Sequence, residues 1–521
     1  MENGNATISA KLDLPDVSAV RRFAGWIAPR LKKGDWLLLS GDLGAGKTEL
    51  ARGIIRQIFG EDTDVPSPTF TLIQHYESPE IKLLHTDLYR LEASDEIPEL
   101  GLLDETDSIV LVEWPEKLGA YMPEQAIRIS LQDVGSTRTC IVQVPATQDA
   151  TQDAVQNSEH DAVQADFLDG LDDFISREQV LADFLEKNGY GQAIRKTLAG
   201  DASSRRYERL ELNNERFIMM DWQALPSAND AYKAKVFLSK SVTDFRDICA
   251  YLTRCGLSAP EIYAHDDAQG LLVLEDFGTH NFTRSIDARD PHLPILYHEA
   301  IMSLAALYHH ADTQDPKTQG RHFTTPVRYD SDIIMTELKQ FIDWYMPSQG
   351  KTLPDEAVKA WEAIWAVMVT KLEAMQTRQV MMLRDVHSPN LHWLSSRQTV
   401  RRVGFIDIQD AIAGHPAYDV VSLLQDARRD LPADYEARFK TLYVSETGLD
   451  AADFDIAYNI FGVQRSLRIL GIFVRLAKMQ GKTSYLQHIP RVTGYIRAGL
   501  AHEALADLRH WFETYVPEVL A

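Results

Sequence analysis

Two short apolar runs, VMML (380–383) and VGFI (403–406), each deliver an acid, Asp385 and Asp407, and Asn390 follows the first acid by five positions. Phosphoryl transfer leaves little covalent chemistry for the protein. A carboxylate must orient the attacking hydroxyl while an amide and a second carboxylate hold magnesium against the phosphates. The pattern assigns Asp385 as the base and Asn390 and Asp407 as metal ligands. The D-x4-N spacing by itself recurs by chance about once in a chain this long. Here both acids end apolar strands, where packing alone favours a turn residue and chemistry needs a carboxylate.

A second constellation lies near the other end. DWLLLS (35–40) flows into GDLGAGKT, and ELARGIIRQIFG follows with apolar residues at helical spacing, which reads as strand, glycine loop, helix. Gly41, Gly46, Lys47 and Thr48 fill every fixed position of the P-loop pattern, with Gly44 between them. Its amides and lysine cradle phosphates, and its threonine reaches magnesium. The strand SIVLVE then ends in Glu113, an acid at a strand terminus suited to a place near that magnesium.

The elements that must position these groups can be followed along the chain. From 146 the stretch ATQDATQDAVQNSEHDAVQADFLDG repeats TQDA, and no Lys or Arg occurs between Arg138 and Arg177. The composition predicts an acidic flexible linker over 146–176, and the apolar spacing of its tail predicts the start of a second domain. LAGDASSRRYERLEL and RFIMMDW then read as strands around a polar turn, which is either a plain hairpin or a loop whose Ser203 and Arg205 cover nucleotide phosphates. GLLVLEDFG ends a strand at Glu275, where a two-lobed kinase puts its adenine-binding hinge. Helical patterns dominate from there to the end, their aromatics read as core. The histidines His309, His310, His387 and His392 lack metal spacing.

At 521 residues the chain accommodates two or three domains. Three cysteines, few and odd in number, fit a reducing cytosol and argue against a disulfide framework. No apolar run approaches the ~18 residues of a membrane span. A net charge of -23 repels nucleic acid. The expectation is a soluble cytoplasmic protein with no membrane contact and no direct nucleic-acid contact.

With GDLGAGKT, SPTF (67–70), H-x-D-x-Y-R (85–90) and EWP (113–115) in order, residues 10–145 resemble TsaE, the small ATPase family of bacterial tRNA threonylcarbamoyladenosine synthesis. The resemblance implies ATP and Mg2+ at Lys47, Thr48 and Glu113, a nucleotide-sensing and hydrolysis site at Thr69 and Asp87, and Trp114 near the nucleotide. It also implies TsaB and TsaD as partners. Residues 180–521 resemble the aminoglycoside phosphotransferase family through GDASSRRYER, GLLVLEDFG, RDVHSPNLHWL, GFIDIQDA and GHPAYDVVSL. Within it they are similar to the AmgK branch, anomeric kinases of N-acetylmuramate and N-acetylglucosamine in peptidoglycan recycling. Asp419 matches the aspartate that supports the catalytic loop from a helix.

The resemblances imply an α/β P-loop NTPase domain over 1–145 and an α+β, two-lobed, protein-kinase-like domain over 177–521. One departure stands out: RFIMMDW carries methionines where such folds place the phosphate-pairing lysine, so Arg205, Arg206 or a lysine within 233–240 substitutes, or none does. Other readings of the C-terminal half are an aminoglycoside or choline kinase, or a silent nucleotide-binding regulator. An acidic acceptor cleft would favour the polycationic aminoglycosides.

Overall fold

In the computed structural model, the described residues are 7–520 except 61, 70, 79–80, 135–136, 146–157, 199–204, 224–229, 237, 239–240, 311–327 and 376. The chain divides into two compact units, Met1–Ala199 with Tyr207–Arg216, and Gly200–Arg206 with Phe217–Ala521.

The first unit contains β1 (Thr7–Leu14), α1 (Val17–Ile27), β2 (Trp36–Gly41), α2 (Lys47–Phe59), β3 (Ile73–Glu77), β4 (Lys82–Asp87), β5 (Ile109–Glu113), β6 (Ala126–Val134) and β7 (Thr137–Pro145). Its seven-stranded sheet runs β1-β7-β6-β2-β5-β4-β3, with β6, β2, β5 and β4 mutually parallel. The parallel strands are nearly continuous apolar runs because both faces are covered. Leu37 and Leu39 of β2, with Ile109 and Leu111 of β5, enter the core under α1 and α2, while Leu38, Val110 and Val112 enter a smaller core on the opposite face. This is the expected α/β architecture.

The stretch expected to be a flexible linker differs. Residues 146–157 lie outside the described residues, but α3 spans Ser158–Lys187. Phe167, Leu171 and Phe174 recur at helical spacing among the acids, and all three are buried in the first unit's core. Trp26 of α1 meets Phe167 edge-on at 5.1 Å and Phe174 at 5.5 Å. The strands β8 (Ile194–Thr197) and β9 (Arg206–Leu212), expected to open the second domain, pair antiparallel from Ile194↔Glu211 to Thr197↔Glu208. Arg195 of β8 ties Glu208 of β9 to Glu178 of α3, and Arg22 of α1 joins at Glu178. The compact first unit therefore reaches beyond the expected boundary.

In the second unit, Phe217–Asp221 of β10 (Glu215–Asp221) pair antiparallel with β12 (Leu271–Glu275), as does β11 (Ile262–Asp266). Between β10 and β11 lie α4 (Asp230–Lys235) and α5 (Val242–Arg254). There follow α6 (Phe282–Asp287), α7 (Leu293–His310), α8 (Ser331–Gln340), a short α9 (Met346–Ser348) and α10 (Asp355–Ala374). Two ribbons come next: β13 (Val380–Met382) pairs with β16 (Ile412–Gly414), and β14 (Leu391–Trp393) with β15 (Val403–Phe405). Helices close the chain: α11 (Ala417–Leu424), α12 (Tyr435–Thr447), α13 (Ala451–Gln480), α14 (Ile489–Leu500) and α15 (Ala506–Tyr515). Gly471 brings α13 close to α8, since a Cβ there would stand 2.1 Å from the Gln340 carbonyl oxygen. Three sheet strands followed by ribbons and helices give the expected α+β, kinase-like pattern. Cys140, Cys249 and Cys255 are buried free thiols. Among the described residues no helix is long and apolar enough to cross a membrane.

Candidate functional site

In the first unit the glycine loop joins β2 to α2. Gly41, Gly44 and Gly46 all adopt positive φ, and a Cβ on Gly41 would lie 2.3 Å from the Leu131 carbonyl oxygen, so only glycine fits. Lys47 Nζ donates to the Gly41 and Asp42 carbonyls at 2.7 and 2.9 Å and lies 3.9 Å from the Trp114 ring centroid. Burial lowers the Lys47 ammonium below its usual value, against the pull of Glu113, Asp87, Glu116 and Asp42.

Parallel pairing sets Asp87 of β4 beside Glu113 of β5, and Leu39 of β2 beside the same glutamate, so the acids gather at the strands' C-terminal ends. Thr48 Oγ1 donates to Glu113 Oε2 at 2.8 Å, and Thr69 Oγ1 to Asp87 Oδ2 at 2.7 Å. Trp114 holds a left-handed φ of 59° and packs on Tyr89 at 5.0 Å, which turns its ring toward Lys47 rather than into the core alone. His85, given no role by the sequence, bonds Glu113 Oε1 at 2.9 Å and is fully buried. Its place in the H-x-D motif was the available signal.

In the second unit the β14–β15 ribbon brings Asn390 against Asp407. Ile406 N donates to the Asn390 carbonyl at 3.0 Å, and Asn390 Nδ2 reaches Asp407 Oδ2 at 3.5 Å and the Asp385 carbonyl at 3.1 Å. With its amide nitrogen so used, Asn390 keeps Oδ1, the atom a cation takes, outside those bonds. Among the described residues no three His, Cys, Asp or Glu side chains form a metal cluster. A cation here would draw its other ligands from phosphates and water, the habit of magnesium. Arg384 and Asp407 both hold positive φ, 70° and 57°, a concentration of strained backbone typical of functional loops.

Asp419 of α11 accepts the Leu383 and Arg384 backbone N–H groups at 2.7 and 2.9 Å, holding the loop as its sequence position implied. Burial pushes its carboxyl up to about 7 against those two bonds. Asp426 accepts from Ser388 N, Ser388 Oγ and Arg428 N. Burial also acts to raise the Asp385 carboxyl, but Arg468, His387, Arg465 and Arg384 outweigh it and hold it below the usual carboxylate range.

Of the lysine substitutes, Arg205 is placed at this end, with Nη2 2.6 Å from Asp407 Oδ1. Glu275, at the end of β12, pairs with Arg397. Ser203 lies outside the described residues. The sequence did not reveal the buried network behind the loop. Arg384 donates to the Val236 carbonyl and to Glu337 of α8, and Glu337 also receives Tyr329 Oη and Gln464 Nε2. Its members come from four segments far apart in sequence, which no local pattern joins.

The profile "Threonylcarbamoyl adenosine biosynthesis protein TsaE" matches residues 14–140, and "Phosphotransferase enzyme family" matches 195–454. An N-acetylmuramate/N-acetylglucosamine kinase of Caulobacter vibrioides is 38% identical over 356 residues, 66% of this chain and 97% of its own length. A protein of the same name from Pseudomonas putida is 27% identical over 332 residues, 61% of this chain and 88% of its own. The tRNA threonylcarbamoyladenosine biosynthesis protein TsaE of Rickettsia bellii is 42% identical over 113 residues, 22% of this chain and 78% of its own. The chain thus joins two families in one polypeptide, belonging through its N-terminal region to the TsaE family and through the remainder to the phosphotransferase family that includes these amino-sugar kinases.

Proposed function

We propose that the protein is a bifunctional, ATP-using cytoplasmic enzyme. Its C-terminal part phosphorylates N-acetylmuramate or N-acetylglucosamine at the anomeric hydroxyl, and its N-terminal part is an ATPase that supports tRNA threonylcarbamoyladenosine modification beside TsaB- and TsaD-like proteins. The observation that carries the kinase reading is the gathering of Asp385, Asn390 and Asp407 by one hydrogen-bonded loop and ribbon. Asp385, kept ionised by the surrounding cations, orients the acceptor hydroxyl and takes its proton. Asn390 and Asp407 bind magnesium, which when present neutralises charge on the transferred phosphate. Arg205 leaves Asp407 to pair with phosphate, doing the work of the missing lysine, and Ser203, two positions earlier in the sequence, is proposed to assist it. Glu275 marks the adenine-facing strand end.

In the N-terminal part Gly41, Gly44, Gly46 and Lys47 cradle the phosphates, and Thr48 and Glu113 take the second magnesium. Thr69 and Asp87 position the attacking water, and Trp114 covers the nucleotide. ATP consumption by the full chain, measured against amino sugars, aminoglycosides and choline, tests the acceptor class. Turnover with the amino sugars is expected. Turnover with only aminoglycosides or choline would replace the acceptor, and none at all would favour a silent module.

A further inference from the structure

Helix α13 is buried and mainly apolar, yet it carries Gln464, Arg465 and Arg468 within little more than one turn. Arg465 is 4% exposed. Among the described residues no carboxylate lies within ion-pairing distance of it. Its hydrogen bond is a long one, Nη1 to the Gln425 carbonyl at 3.4 Å, and its Nε has no partner. A guanidinium withdrawn from water with no carboxylate bonded to it is unfavourable, and although the Asp385 carboxylate offsets part of its charge, its open N–H groups suit an anion brought to them.

The nearby acids other than Asp385 are already engaged. Glu337 accepts from Arg384, Tyr329 and Gln464, Asp419 from two backbone amides, and Asp426 from Ser388 and Arg428. Arg468, one turn along, donates to Tyr418 Oη at 3.1 Å and stands 3.4 Å from Glu337, which Arg384 already holds. The buried Nε atoms of Arg384 and Arg468, the Tyr232 hydroxyl and Gln464 Oε1 also make no hydrogen bond. Such a cluster of unmet donors, with the Gln464 Oε1 acceptor among them, is what a polar ligand or ordered water completes.

Both arginines lie close enough to Asp385 to act on its charge, while none of their hydrogen bonds reaches Asn390 or Asp407 at the metal-binding end. We infer that Arg465 and Arg468 form an anion subsite beside the catalytic aspartate that receives a carboxylate of the phosphoryl acceptor. The planar guanidinium matches a carboxylate in two-bond geometry. The inference rests on the amino-sugar kinase reading and deepens it. The preferred acceptor is the acid-bearing sugar, with its lactyl carboxylate, over the neutral one. A polycationic acceptor is disfavoured by the same charges.

The test compares N-acetylmuramate, its carboxamide and N-acetylglucosamine as acceptors for the full chain and for Arg468→Gln and Arg465→Gln. In the wild type, kcat/KM for the acid should exceed that for the carboxamide by at least about tenfold, the size of a hydrogen bond to a charged group. In either variant that ratio should collapse toward one. The carboxamide comparison uses the unaltered protein, so a misfolded variant cannot hide the result. Equal use of acid and carboxamide by the wild type overturns the subsite alone. So does an equal fall for all three acceptors in folded variants, the behaviour expected if the arginines serve the transferred phosphate. Failure of the wild type to phosphorylate any of the three overturns the kinase reading and the subsite with it.

Discussion

Replacing Glu337 by alanine tests the buried network behind the loop. This side chain is fully buried and receives Arg384, Tyr329 and Gln464, with Arg468 Nε 3.4 Å away. Arg384 is 1% exposed, and its other side-chain bond is to the Val236 carbonyl. Removing the carboxylate leaves a guanidinium buried without its counter-charge, a loss of about 3–5 kcal/mol. For a unit this large that corresponds to a fall in melting temperature of roughly 6–15 °C.

Hydrogen exchange followed by mass spectrometry localises the effect. Peptides from α8, the 380–390 loop and α13 should lose protection, while those from β2 and β5 of the other unit should not. A change of under about 1 °C with unaltered exchange refutes the reasoning. The effect also has a sign in pH. Burial acts to raise the Glu337 carboxyl, but Arg468 and Arg384 hold it below its ordinary value. A carboxylate lowered on folding contributes stability that is complete above the unfolded value and is lost as pH falls through the folded one. The gap between wild type and Glu337→Gln should therefore be constant near neutral pH and close only below the ordinary glutamate range.

Asp385→Asn should leave ATP affinity within about threefold and lower kcat by about 10²–10⁴-fold, because a base is removed and little of the nucleotide site. Asp407→Ala should also weaken magnesium-dependent nucleotide binding, measured by calorimetry, since that carboxylate faces charge already present in the ground state. Lys47→Ala should abolish nucleotide binding by the first unit while sugar phosphorylation persists; wild-type nucleotide affinity there would refute its assignment. A fragment of residues 1–145 should melt several degrees below one of residues 1–187. The shorter piece uncovers Trp26 and Phe23 and omits Phe167, Leu171 and Phe174, each worth up to about 1.5–3 kcal/mol when fully buried.

What the sequence reveals and what it hides follow from the range of the interactions. The glycine loop is legible because its requirements are local: positive φ at Gly41, Gly44 and Gly46, a strand before and a helix after. Asp385, Asn390 and Asp407 are legible because apolar strands deliver the two acids, one ribbon joins Asn390 to Asp407, and Asp385 is only five positions from Asn390. The acidity of 146–176 masks Phe167, Leu171 and Phe174, whose spacing has meaning only once Trp26 is there to receive it. Arg465 and Arg468 fall in a helical pattern that assigns them no role, since their spacing alone does not mark them as buried. That they are turned inward depends on Gly471 letting α13 approach α8, a contact between segments more than a hundred residues apart. Arg205 is one of several candidates in the sequence, and its ion pair with Asp407 depends on a contact between segments about two hundred residues apart.

The central claim, that the Asp385 cluster transfers phosphate to the anomeric oxygen of an amino sugar, is tested most directly by phosphorus NMR. The full chain is incubated with ATP, magnesium and N-acetylmuramate or N-acetylglucosamine, and Asp385→Asn is run beside it. The account requires a sugar 1-phosphate signal that grows with the wild type and is absent with the variant. A 6-phosphate, the same product from the variant, or no phosphorylated sugar from either acceptor would contradict it.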